Sequence, residues 1–247
     1  MEEILKNMKS ITLEEMSGVK LMNRIDTKFL TTVPVLYDLL TLATDNFMVQ
    51  ETNELRISPY YTRYYDTPDA MMFYDHQRGK KSRRKIRIRE YLNSGISPFL
   101  EIKDKNNKGR TKKKRISMSE SNEIQYYNDF ITKFSEFNAE NLSQRLENYF
   151  QRITLVNKEL SERITIDTSL KFHNFVSGCD VQLPDLVVIE WKRDGLSAKS
   201  RLKPILLQLR IKESGFSKYV IGTALTDTTL SHNRLKPRLH QIDKLLG

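Results

Sequence analysis

Charged and apolar residues alternate in several short stretches of this chain. In Lys85-Ile86-Arg87-Ile88-Arg89, Glu101-Ile102-Lys103, Arg163-Ile164-Thr165-Ile166-Asp167 and Ile189-Glu190-Trp191-Lys192 the charges recur at every second position. That is the period of a β-strand with one ionic and one greasy face. The same reading predicts strands over Arg24 to Thr31, Tyr60 to Asp66, Lys85 to Tyr91, Phe99 to Lys105 and Thr111 to Met118. Turn-forming Asn93-Ser94-Gly95 and Asn106-Asn107-Lys108-Gly109 separate the middle ones into a meander. Strands follow at Arg152 to Lys158, Glu162 to Leu170 and Leu186 to Lys192. Apolar residues at helical spacing predict helices near Ile4 to Met16, over Val33 to Ala43, and at Lys203 to Lys212, Lys218 to Leu225 and Leu235 to Leu246. A helical excursion is predicted over about 120–150, where Phe130, Ile131, Phe134, Phe137, Leu142, Leu146 and Phe150 recur.

A single strand of this kind reads most simply as one wet face of a sheet. The recurrence of the pattern beside helices able to cover the greasy face argues for a charged interior instead. The expected fold class is therefore α+β, an antiparallel β-barrel tunnel with peripheral α-helices. Parity within each strand sends Arg24, Asp26, Lys28, Arg87, Arg89, Glu101, Lys103, Lys113, Arg115, Lys158, Arg163, Asp167, Glu190 and Lys192 into the lumen, and leaves Lys112 and Lys114 outside. An interior lined this way binds an anion.

The 247 residues suffice for one domain, expected to span 1–247 with an N-terminal helix over 1–20, tunnel strands over 24–192 and C-terminal helices over 200–247. A net charge of +10 points to a polyanionic partner or an anionic surface. The single Cys179 excludes an internal disulfide framework, and the four histidines lack metal-ligand spacing. No stretch is long and apolar enough for a transmembrane helix, and a soluble cytoplasmic protein is expected. The basic runs Lys80-Lys81-Ser82-Arg83-Arg84-Lys85 and Lys112-Lys113-Lys114-Arg115 are poor in interleaved aromatics, which makes nucleic acid an unlikely partner.

Ordered motifs then carry a resemblance. Asp26-Thr27-Lys28-Phe29, Tyr64-Tyr65-Asp66-Thr67-Pro68, Ile86-Arg87-Ile88-Arg89, Phe99-Leu100-Glu101-Ile102-Lys103, Lys113-Lys114-Arg115, Val188-Ile189-Glu190-Trp191-Lys192 and Phe216-Ser217-Lys218-Tyr219 resemble, in order, the motifs of the triphosphate tunnel metalloenzymes. Within that superfamily they are most similar to the polyphosphate polymerase domain of the vacuolar transporter chaperone type. The resemblance implies ATP and polyphosphate as ligands, with Mn²⁺ or Mg²⁺. It implies a phosphate clamp of Arg87, Arg89, Lys103, Lys113, Arg115, Lys158 and Arg163, and substrate contacts from Lys28, Lys192, Ser217 and Lys218. Glu190 is the implied metal ligand, with Glu101 and Asp167 acting through water or balancing charge.

Two positions depart from the family pattern. Arg24-x-Asp26-x-Lys28 stands where hydrolytic and cyclase branches carry Glu-x-Glu-x-Lys, which favours polymerase over hydrolase. Lys158 stands where an Arg is expected, and it loses the bidentate fork. A triphosphate hydrolase on the same fold and a non-catalytic polyphosphate sensor are the alternatives. Membrane coupling, which the family's eukaryotic members have, would require a separate protein.

Overall fold

The structure is a computed structural model that describes residues 1–18, 24–107, 111–194 and 200–247. Its strands are β1 (Ser10–Ile11), β2 (Arg24–Thr32), β3 (Phe47–Gln50), β4 (Ser58–Asp66), β5 (Arg83–Tyr91), β6 (Phe99–Lys105), β7 (Thr111–Ser117), β8 (Ser143–Asn157), β9 (Glu162–Asn174), β10 (Asp180–Leu183) and β11 (Leu186–Asp194). Helices are α1 (Glu2–Lys6), α2 (Val33–Ala43), α3 (Met71–Gln77), α4 (Asn128–Phe134), α5 (Leu202–Gln208), α6 (Lys218–Thr226) and α7 (Lys236–Leu246). The strands form one sheet in the order β2-β11-β9-β8-β4-β5-β6-β7, antiparallel throughout this path, with β1, β3 and β10 attached at its side.

The sheet curls without closing. Among the described residues its two path ends, β2 and β7, do not pair. Yet Lys103 on β6 senses the charge of Glu190 on β11, although four strands separate them in the sheet order. Irregularities between Tyr64 and Tyr65 and between Tyr149 and Gln151 break the register on both sides of β8. Bulges of this type bend a strand and increase its twist. The segment before α6 runs along the exposed edge of β2, where the Ser214 N–H donates to the Lys28 carbonyl at 2.8 Å. The sequence expectation of a barrel is thus met by an open, curled tunnel.

Apolar residues on the outer face decide where the helices go. Phe29, Ile189, Trp191, Ile164, Ile166, Ile153 and Leu155 pack with Leu5, Leu36, Leu39, Leu40, Leu202 and Leu206 of α1, α2 and α5. Each fully buried side chain of this size contributes roughly 1.5–3 kcal/mol, so the outer face must be covered and the ionic face is left inside. On the other wall Ile86, Ile88, Leu100 and Ile102 belong to a second cluster with Ile124, Tyr127 and Ile131. That cluster continues into the tunnel floor, where Leu30, Val188, Tyr64 and Leu146 meet Phe216, Tyr219 and Val220.

Two local devices fix the floor. The buried Asp66 carboxylate accepts the N–H groups of Met72 at 2.9 Å and Phe73 at 3.0 Å, satisfying the start of α3, and also takes the Tyr219 hydroxyl of α6. Ser217 caps α6 by accepting the Val220 N–H.

Several expected elements change. The N-terminal helix reduces to α1, followed by β1 and a 3₁₀ turn at Glu15–Gly18. The helical excursion ends early: α4 and short 3₁₀ turns occupy Ile124–Asn141, and Leu142 then leads into the fifteen-residue strand β8, which holds Leu146 and Phe150. Strands β3 and β10 and helix α3 are additions to the predicted elements. Val19 and Lys20 at the end of the predicted N-terminal helix, Lys108 and Gly109 of one predicted turn, Gly195 and the Arg24 side chain lie outside the described residues.

Candidate functional site

The inward positions form rows across the strands. Lys28, Glu190 and Thr165 stand in register on β2, β11 and β9, and Asp26, Lys192 and Arg163 form the next row. On the opposite wall Arg87, Glu101 and Arg115 form one row, and Lys85, Lys103 and Lys113 another. Three lysines facing one another across adjacent strands repel. The Lys103 ammonium is held well below the usual lysine range, first by Arg87 and then by burial. Lys85 is held there by burial and by Lys28 and Arg87. An anion placed between the walls relieves this repulsion.

Each lumen carboxylate is set among cations. Glu101 is fully buried; its Oε2 accepts from Arg87 Nε at 2.9 Å and Nη2 at 2.6 Å, and its Oε1 from Lys113 Nζ at 3.1 Å. Asp167 accepts from Arg152 Nε at 2.6 Å and Nη2 at 2.8 Å, and from Lys218 Nζ. Burial alone would raise both carboxyls, but Arg87 and Arg89 at Glu101, and Arg152 and Lys218 at Asp167, outweigh it and hold them below the ordinary range. Glu190 is the most accessible of the three. Its Oε2 meets Lys192 Nζ at 2.6 Å. Burial raises it, and Lys192 and Lys28 more than reverse that.

The floor of the tunnel is cationic as well. Lys85 Nζ donates to Ser217 Oγ at 2.9 Å, and Lys28 Nζ donates to the Phe216 carbonyl at 2.7 Å. Lys218 Nζ lies 4.1 Å from the centre of the Phe150 ring, and the Arg152 guanidinium lies over Tyr60 and Phe150 at 4.8 and 5.1 Å. Such stacking orients a guanidinium while leaving donors available.

Most of the sequence-predicted residues converge. Arg87, Arg89, Lys103, Arg163, Lys28, Lys192, Ser217, Lys218, Glu190, Glu101 and Asp167 come together in the curl. Lys113 and Arg115 share the inward face but lie exposed on the end strand β7, with Arg115 over the Phe99 ring at 4.6 Å. Lys158 does not join them. Strand β8 ends at Asn157, and Lys158 is exposed in the following turn, its N–H bonded to the Asn46 carbonyl. Arg152 occupies the lumen position on that strand, so the expected fork is present. Its signal was in the sequence, because Arg152 and Lys158 have the same parity. Lys85 was likewise readable from its parity with Arg87.

A divalent ion needs hard oxygen ligands. Among the described residues no three potential metal-ligating side chains cluster, and Glu101 and Asp167 are each taken by two cations. Glu190 has one ion-pair partner, Lys192, on its Oε2, and the Thr165 hydroxyl in register with it is buried without a hydrogen-bond partner. This sparse set fits an ion that takes its other ligands from phosphate oxygens and water.

The fold is that of a triphosphate tunnel. A candidate adenylate cyclase of Bacillus halodurans shares the fold, with a TM-score of 0.51 at 16% identity over 79% of this chain and 96% of that one. The PH1819 protein of Pyrococcus horikoshii gives 0.45 at 14% identity, over 81% and 98%. The Mimivirus capping enzyme triphosphatase gives 0.34 at 13%, over 85% and 93%. No curated protein matches the chain. The model of the VTC domain matches residues 23–226, and the chain belongs to that family.

Proposed function

We propose that this protein is a metal-dependent polyphosphate polymerase that transfers the γ-phosphoryl group of ATP to the end of a polyphosphate chain. The observation that carries the reading is the cross-strand row Lys85, Lys103 and Lys113, with Lys28 and Arg87 close enough to lower the Lys85 ammonium, a concentration of positive charge suited to a highly charged anion. Membership of the VTC domain family supports it.

In this reading Arg87, Arg89 and Arg152 hold phosphate oxygens through oriented guanidinium groups, and Lys85, Lys103 and Lys218 through point charges. A terminal oxygen of the acceptor attacks the γ-phosphorus, the bond to the β–γ bridging oxygen breaks, and ADP leaves with that electron pair. The transition state is loose, so the residues act by positioning and by stabilising charge already fixed in place. Glu190, beside Thr165, would hold Mn²⁺ or Mg²⁺. When bound, the ion neutralises part of the phosphate charge.

This reading favours transfer over hydrolysis. Glu101, Asp167 and Glu190 are all held below the usual carboxylate range, which makes them weak bases toward water. A terminal phosphate reaches the site already ionised. Among the described residues no helix is long and apolar enough to cross a membrane.

Incubation with ATP and Mn²⁺ or Mg²⁺ tests the proposal. ADP and a polyphosphate ladder on a gel are expected, with little orthophosphate. Equal ADP and orthophosphate without polymer would establish a hydrolase, and triphosphate binding without turnover a sensor.

A further inference from the structure

The end strand β7 carries basic side chains on both faces. Lys113 points into the tunnel and meets Glu101, so its neighbours Lys112 and Lys114 point to the outer face. There they line a cleft between β5, β6 and β7 and the end of α4, together with Arg84, Asp104, Lys133, Phe134 and Glu136. Arg84, Asp104 and Lys112 stand in one cross-strand row. No function described so far uses this cleft.

Its two acids face Arg84, and its three lysines have no acidic partner among the described residues. Glu136 pairs with Arg84 Nη1, and Asp104 Oδ1 lies 3.7 Å from Arg84 Nε. That separation is too long for a hydrogen bond, and both atoms are buried without one. Among the described residues Lys112, Lys114 and Lys133 make no ion pair. Lys114 and Lys133 instead hold their ammonium groups over the same Phe134 ring, at 5.3 and 5.7 Å from its centre. Both ammonium groups are thus held beside one ring, with no acidic partner among the described residues to neutralise them.

We propose that this cleft is an accessory binding site for the polyphosphate chain, outside the tunnel. The proposal rests on the polymerase reading for the identity of the polyanion. A phosphate chain fits better than nucleic acid, because single-stranded nucleic acid binds by stacking bases on free aromatic faces, and the Phe134 ring is occupied by lysines. Among the described residues no strand pairs with the outer edge of β7. A polymer crossing that edge therefore passes from Lys113 to Lys112 and Lys114 without leaving positive charge. Held there, the chain stays tethered, and its reactive end meets the tunnel at a raised effective concentration.

The test compares the triple variant Lys112→Gln/Lys114→Gln/Lys133→Gln with a control that removes the same charge from exposed lysines elsewhere, Lys203→Gln/Lys236→Gln/Lys244→Gln. Affinities for long-chain polyphosphate and for tripolyphosphate are measured over a range of salt, after circular dichroism confirms that both variants are folded. For the cleft variant, long-chain affinity should fall on the order of tenfold with a shallower salt dependence. Tripolyphosphate affinity, and the control on both ligands, should stay at wild-type values. Wild-type affinity of the cleft variant for the long chain, or an equal loss in the control, would overturn the proposal. So would a single-stranded oligonucleotide that displaces the long chain from the wild-type cleft at equal charge. Failure of the polymerase reading shows separately, as absence of polymer from ATP while the difference between long chain and tripolyphosphate persists.

Discussion

Arg152 grips Asp167 with two parallel hydrogen bonds of 2.6 and 2.8 Å, and Lys218 enters from α6 to close on the same carboxylate. The pair joins β8 to β9 at the centre of the tunnel and fixes the direction in which the guanidinium presents its remaining donors. Removing one partner of a buried pair costs about 3–5 kcal/mol where the remaining charge is left uncompensated. Arg152→Met leaves Asp167 with Lys218 as its partner, so it should lower stability in chemical denaturation by less than that. The double variant Arg152→Met/Asp167→Asn should recover much of the loss while still binding tripolyphosphate poorly. Lys158→Ala, in its exposed turn, should change neither quantity.

Glu190→Gln tests the metal position. The fold should persist, because Glu190 is only partly buried and the amide keeps its shape. Turnover with Mn²⁺ or Mg²⁺ should fall roughly a hundredfold or more, reflecting several kcal/mol of lost charge stabilisation. Tripolyphosphate binding without metal should be unchanged or tighter, since a negative charge has left a basic lumen. Near wild-type turnover would place the metal elsewhere.

Strand alternation made the tunnel legible before the structure, and the two misplacements have physical causes. Leu142, Leu146 and Phe150 are spaced by four, a separation that puts residues on one face of a helix and also on one face of a strand. Nearby Phe130, Ile131 and Phe134 lie in α4, so the helical spacing runs without a break into the strand. The alternation places a strand from Arg152 to Lys158, whereas β8 starts at Ser143 and stops at Asn157, which moves the lumen cation back to Arg152. The bulges that bend β8 and its neighbours, and the filling of the floor by α6, have no counterpart in the alternation, since they depend on contacts between distant segments.

Gly222→Ala probes the floor. A Cβ there would lie 2.5 Å from the Phe172 ring and 2.8 Å from a Leu146 methyl, and both side chains are buried in the core. Alanine gains about 1 kcal/mol of helix propensity, but overpacking a fixed core costs about 1–3 kcal/mol. The variant should be less stable in denaturant melts, with little change in tripolyphosphate affinity.

Proton linkage gives a sign that can be checked. Burial lowers the Lys218 ammonium, Asp167 restores part of the loss and Arg152 lowers it again, leaving it at about 7 against an ordinary 10.5. Between those values the unfolded chain binds more protons, so this residue makes the ligand-free protein more stable as pH rises through that window. A bound triphosphate favours the charged ammonium, so binding above pH 7 takes up protons and weakens with rising pH. Calorimetry in buffers of different ionisation enthalpy should detect the uptake. It should shrink in Lys218→Met without vanishing, because Lys85 and Lys103 shift in the same direction.

In the proposed reaction the γ-phosphoryl group passes from ATP to a phosphate acceptor inside this tunnel. Position-specific labelling tests it most directly: the protein is incubated with Mn²⁺ and ATP labelled at either the γ- or the α-phosphorus, and the products are separated on a gel. The γ-label should enter a ladder of polyphosphate while the α-label remains in ADP, and Arg89→Ala should suppress the ladder. Recovery of the γ-label only as orthophosphate, or an undiminished ladder from Arg89→Ala, would contradict the account.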